Sequence, residues 1–93
     1  MDSIKLLYFQ SPGCGVCHAL RPKLEAMLVS DYPKLHLHII DISQDKITAA
    51  QHAVFVTPVL IILWEGKEQE RFVRAFSVGE VAKRLDRFMS LLA

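Results

Sequence analysis

The chain has 93 residues, 52% of them hydrophobic, and 11 Lys and Arg against 10 Asp and Glu leave a formal net charge of +1. That size and composition predict one compact domain over residues 1–93, and charges that nearly cancel give no electrostatic ground for a nucleic-acid partner or an acidic membrane surface. The C-terminal basic residues Arg71, Arg74, Lys83, Arg84 and Arg87 are interleaved with Glu68, Glu70, Glu80 and Asp86, the pattern of a solvated face. No basic segment leads a long apolar stretch at the N-terminus, and the longest later apolar run, Val59 to Trp64, falls far short of the roughly 20 residues a membrane helix needs. A cytoplasmic, monomeric protein is therefore expected. In that compartment thiols are kept reduced, so a lone cysteine pair reads as catalytic or metal-binding and not as a structural staple.

In chain order, Ile4 to Phe9 reads as a buried strand, and Ser11-Pro12-Gly13 turns the chain. Apolar positions then recur at helical spacing through Leu20, Leu24, Met27 and Leu28. Ser30-Asp31-Tyr32-Pro33 interrupts that pattern, and Leu35 to Ile40 is a second strand, parallel to the first across a right-handed crossover. A polar stretch from Asp41 to Asp45 leads to a short helix over Ile47 to His52, and Val59 to Trp64 is a third strand. Glu65-Gly66 makes a tight turn, and Glu70 to Ala75 returns as an antiparallel partner. Ser77 as N-cap with Glu80 three residues on forms a capping box for a last helix, whose face is Val78, Val81, Leu85, Phe88 and Leu92. The order βαβαββα gives an α/β fold: a small four-stranded mixed sheet with helices on both faces.

Within this frame Cys14-Gly15-Val16-Cys17 sits where the first strand passes into the first helix. Unpaired N–H groups and the positive dipole end at a helix N-terminus favour an anion, so the Cys14 thiol is expected below the free value of about 8.5. Such a thiolate serves as nucleophile and as leaving group.

Three features together resemble the thioredoxin superfamily from about residue 3 to the C-terminus: the cysteine pair at the strand–helix junction, Pro22 five residues past Cys17, and Val56-Thr57-Pro58 just before an apolar strand and a Gly66 hairpin. The resemblance implies a three-layer α/β/α sandwich and thiol–disulfide exchange. Cys14 would attack a protein disulfide and Cys17 would resolve the mixed disulfide; a reductase such as thioredoxin reductase would restore the dithiol, with no bound cofactor. It makes Pro58 the cis-proline and Thr57 the residue whose backbone pairs with substrate, with Gly13, Gly15, Val16 and Arg74 around them. The sequence departs from the thioredoxin pattern at several of these places. Tyr8 replaces a buried aspartate and Ile39 its lysine partner, so proton transfer to or from Cys17 would fall to solvent, His18, Tyr8 or a substrate group. Gly13 replaces a tryptophan, Val16 a proline and Arg74 a glycine. The stretch Ser11-Pro12-Gly13-Cys14 is closer to glutaredoxins, yet Arg74 to Gly79 lacks the paired glycines and aspartate with which that family holds glutathione.

Other chemistry is open to the same residues. Cys14 to His18 matches the attachment pattern of a c-type haem, with Met27 or Met89 as an axial ligand, although both methionines fit core-facing helix positions. A zinc module would need Cys14, Cys17 and two of His18, His36, His38 and His52, which are poorly spaced for it; the site expectation contains no metal. A thioredoxin-fold adaptor or redox sensor, in which oxidation changes a partner contact without turnover, remains a third alternative.

Overall fold

In a computed structural model, the structure describes residues 3–92. The elements are β1 (Ile4–Gln10), α1 (Gly15–Asp31), β2 (Leu37–Asp41), α2 (Lys46–Gln51), β3 (Val59–Trp64), β4 (Lys67–Val73) and α3 (Val78–Leu92). The four strands stand in the order β2-β1-β3-β4, with β1 and β2 parallel and the other pairs antiparallel. Element order and mixed sheet are those expected from the sequence.

Side-chain alternation along the two central strands divides the core into two layers. Ile4, Leu6 and Tyr8 of β1 join Leu60 and Ile62 of β3 on the face covered by Leu20, Leu24 and Leu28 of α1 and Val81 and Leu85 of α3. Leu7, Phe9, Val59, Ile61 and Leu63 face the other way, toward Ala49 of α2 and Val54. Each fully buried large aliphatic or aromatic side chain is worth about 1.5–3 kcal/mol of transfer free energy, and the two central strands supply half of the buried hydrophobic residues. Met27 and Met89 pack against the first layer, as their helical spacing indicated.

Three boundaries differ from the sequence expectation by more than one residue. β2 begins at Leu37, not Leu35, because Leu35 is still buried in a turn with its amide bonded to the Tyr32 carbonyl, and pairing with β1 starts at Leu6 and Leu37. β4 begins at Lys67 because Glu65 and Gly66 both take positive φ (51° and 79°), so the two-residue turn sets Trp64 directly opposite Lys67. It ends at Val73, since Arg74 turns into the left-handed region at φ 62°. Leu92, expected on the buried face of α3, is exposed, and that helix is held instead by Val81, Leu85 and the edge contact of Phe88 with Trp64. The Ser77 hydroxyl accepts from the Glu80 amide at 3.2 Å, as the capping box requires.

β4 also carries a bulge. Ile62 pairs with Glu70 but Leu63 pairs with Glu68, which leaves Gln69 as the extra residue. In an unbroken strand Glu68 and Arg71 would point to opposite faces; the inserted residue resets the phase and puts both on the α2 face. Their side chains form a two-pronged ion pair at 2.8 and 2.9 Å.

Candidate active site

The strand register assembles the site. Phe9, Val59 and Val73 stand side by side across β1, β3 and β4, so the residues that follow Phe9, precede Val59 and follow Val73 converge at one sheet end. Those residues are Ser11 to Cys14, Thr57-Pro58 and Arg74. The Thr57–Pro58 peptide bond is cis, and the Arg74 amide donates to the Pro58 carbonyl at 2.8 Å. The Ser11 and Thr57 hydroxyls are hydrogen-bonded at 2.9 Å, which ties the cysteine loop to the proline loop. Ser11 was legible from sequence only as a turn residue; its partner lies 46 positions away.

Cys14 is the N-cap of α1, as the sequence indicated, and its sulfur accepts from the Cys17 amide at 3.1 Å. The two cysteines are joined in a disulfide with an S–S distance of 2.08 Å. They are not equivalent: Cys14 is half-buried at the surface, whereas Cys17 has no exposed area. Around them Gly13 and Gly15 are exposed, with open space where a Cβ would stand, and Val16 is 60% exposed. The cysteine loop is therefore accessible from outside, with one sulfur leading and the other beneath it.

The two candidates for proton transfer sit differently. His18 is exposed, and its Nε2 is paired with the Pro12 carbonyl at 3.2 Å. Tyr8 is completely buried in β1, between Ile39 of β2 and Leu60 of β3, and its hydroxyl donates to the Cys17 carbonyl at 2.7 Å. Burial pushes the phenol up to about 12, against a smaller opposing pull from the Arg21 guanidinium. Near neutrality Tyr8 thus keeps its proton and acts as a fixed donor to the backbone of the redox helix. Tyr8, expected as a possible proton carrier, places its hydroxyl on the Cys17 carbonyl, and burial favours its neutral form.

The histidines do not converge on the cysteines. His36 and His38 lie exposed at β2, and His52 caps the end of α2 with its ring 5.9 Å from that of Phe9. Among the described residues no three His, Cys, Asp or Glu side chains come together as a metal site, and no helix is long and apolar enough to cross a membrane.

A helix-capping Cys-x-x-Cys disulfide beside a cis-proline loop, on a four-stranded mixed sheet, defines a thiol–disulfide oxidoreductase. The thioredoxin family model matches residues 1–87, and the chain belongs to the thioredoxin family. It is 33% identical over 84 residues to a thioredoxin-like protein, YdfQ, of Bacillus subtilis, an alignment that covers 87% of this chain and 74% of that one. It is 38% identical over 72 residues to the thioredoxin of Chlamydia trachomatis, covering 77% and 70% of the two chains. The solved structure of thioredoxin 1 from Thermosipho africanus superposes with a TM-score of 0.85 at 32% identity, over 94% of this chain and 96% of that one.

Proposed function

We propose that this single thioredoxin domain reduces protein disulfides in the cytoplasm, with Cys14 as the attacking thiolate and Cys17 as the resolving thiol. The observation that carries the assignment is the inequality of the two sulfurs: Cys14 caps α1 in reach of solvent and of the Cys17 amide, while Cys17 is fully covered. Attack by the Cys14 thiolate breaks the substrate S–S bond, forms a mixed disulfide and expels one substrate thiolate, which takes up a proton. The Cys17 thiol then loses its proton and attacks Cys14. This releases the second substrate thiolate and leaves the Cys14–Cys17 disulfide seen here. The substrate gains two electrons and the protein loses two; a thioredoxin-reductase type of partner returns them.

Thr57 and Pro58 would receive the substrate backbone. The backbone groups of Thr57 enter no backbone–backbone hydrogen bond among the described residues, so they are open to an incoming extended segment. Gly13, Gly15 and Val16 line the approach, and Arg74 stands at its edge. With Tyr8 committed to a carbonyl and His18 to Pro12, the proton of Cys17 leaves to water or to the departing substrate sulfur.

The test is capture. A Cys17→Ser protein incubated with a disulfide-containing protein should accumulate a mixed disulfide through Cys14, while Cys14→Ser should trap nothing and show no turnover. Attachment through Cys17 in the Cys14→Ser protein would reverse the roles. Formation of the intramolecular disulfide without steady reduction of any protein disulfide would instead indicate a redox sensor.

A further inference from the structure

The segment joining α2 to β3 is fastened at both ends and bare in the middle. At its start, α2 closes with the Ala53 amide on the Ala50 carbonyl and the Val54 amide on the Ala49 carbonyl, a Schellman arrangement with Ala53 in the left-handed region at φ 53°. Across this closure lies Arg71, whose guanidinium donates to the His52 carbonyl at 2.5 Å and the Ala53 carbonyl at 3.3 Å while Glu68 grips its other side. The Gln69 bulge is what brings Glu68 and Arg71 to this face. Val54 is then buried, and at the far end Pro58 is buried and Thr57 is bonded to Ser11.

Between these anchors stand Phe55, 78% exposed, and Val56, 39% exposed. Phe55 is a large aromatic held in water two residues before Thr57, whose hydroxyl is bonded to Ser11 of the cysteine loop. On its other side is an open hollow of about 340 Å³ lined by Ile42, Lys46, Ala49, Ala50, Val54 and Phe55, apolar except for the lysine. Two exposed apolar residues, Val56 and Phe55, thus precede Thr57 in the chain, and Phe55 borders a concavity large enough for a bulky side chain.

We propose that Phe55 and Val56 form a recognition tip for protein disulfides that carry a bulky apolar side chain near the reacting cysteine, and that Arg71, braced by Glu68, is the positioning residue that holds the tip at its working height. The occupant follows from chain adjacency: a segment laid against Thr57 for exchange at Cys14 and continuing along this loop meets the exposed Val56 and Phe55, and the hollow that Phe55 borders is mostly apolar. This rests on the reading that the Cys14 pair exchanges with protein disulfides.

The experiment compares two disulfides with the full chain under dithiothreitol: those of insulin, a folded protein with apolar side chains near its cysteines, and 2-hydroxyethyl disulfide, which is too small to reach Phe55. Phe55→Ser should lower kcat/KM on insulin by about five- to tenfold, mostly through KM, and change the small disulfide by less than about twofold. Phe55→Leu should keep most of the insulin activity. Arg71→Gln should produce the same selective loss, and combining it with Phe55→Ser should add little, because both remove one contact. An Arg71 that merely stabilised the fold would affect both disulfides alike. Equal losses on the two disulfides, or an undiminished insulin rate in Phe55→Ser, would overturn the proposal, and the Phe55 variants decide it even if Arg71→Gln does not fold. A wild-type protein inactive on both disulfides would remove the exchange reading itself.

Discussion

Replacing Tyr8 by phenylalanine deletes one oxygen from the middle of the sheet and tests the claim that the phenol is a neutral, fixed donor. At neutral pH the variant loses the hydrogen bond to the Cys17 carbonyl; the helix ladder still uses that oxygen, so the expected cost is about 1 kcal/mol. The sign then changes with pH. Tyr8 is raised from 10.0 unfolded to about 12 folded, so its neutral form is the one the fold favours. Between those values the unfolded chain has released a proton that the native protein retains, and stability falls as pH rises. At about 1.4 kcal/mol per unit, the wild type loses up to about 2.7 kcal/mol across the interval and roughly half of that by about pH 11. The Tyr8→Phe variant has no such proton to lose. The wild type should therefore lead by about 1 kcal/mol at pH 7, and the two stability curves should cross just below about pH 11. Urea unfolding of the oxidised proteins, in which the cysteines do not titrate, measures both curves, and Tyr32 contributes equally to each. Parallel curves from neutral to strongly alkaline pH would refute the buried-donor assignment.

Ala53 takes a left-handed conformation in the closure of α2, where an L side chain is strained and glycine is not. Ala53→Gly should raise stability by about 0.5–1 kcal/mol in thermal or urea unfolding despite glycine's greater unfolded entropy; a drop would mean that the methyl group contributes more than the strain. Asp45 caps α2, and the Thr48 amide and hydroxyl hold its carboxyl below the ordinary 3.8. A carboxyl lowered by folding stabilises above its unfolded value and loses that contribution as pH falls through the folded one, so Asp45→Asn should flatten the acid limb of the stability curve. Unchanged dependence in acid unfolding titrations would show that the cap does not bind its charge in solution.

The sequence announced those parts of the fold that local chemistry dictates. The strand of Val59 to Trp64 is legible because six consecutive apolar residues end at a Glu-Gly turn, and α3 because Ser77 and Glu80 mark its start. The cysteine pair was readable as a helix cap for the same reason. What escaped depends on partners far along the chain. β2 starts late because the Leu35 amide is taken by the Tyr32 carbonyl, and the hydroxyl of Tyr8, read from sequence as a possible proton carrier, is bonded to a carbonyl in another element. The run Lys67-Glu68-Gln69-Glu70 has no alternation that announces a strand, and nothing in it reveals that one surplus residue aligns an acid with Arg71. Phe55 carries no motif that marks it in the sequence; its exposure emerges only in the structure, where Val54 and Pro58 on either side are buried.

The surplus residue in β4 bears on the protein's behaviour in a crowd. A four-stranded open sheet has two margins with free backbone groups, each able to recruit a foreign strand. One margin is β2, only five residues long; the other is β4, where the ladder is kinked at Gln69 and flanked by Lys67, Glu68 and Glu70. A visiting chain would meet a step in the hydrogen-bond spacing and a row of charges to desolvate. The crimp that aims one arginine therefore also guards a flank against fibrous stacking.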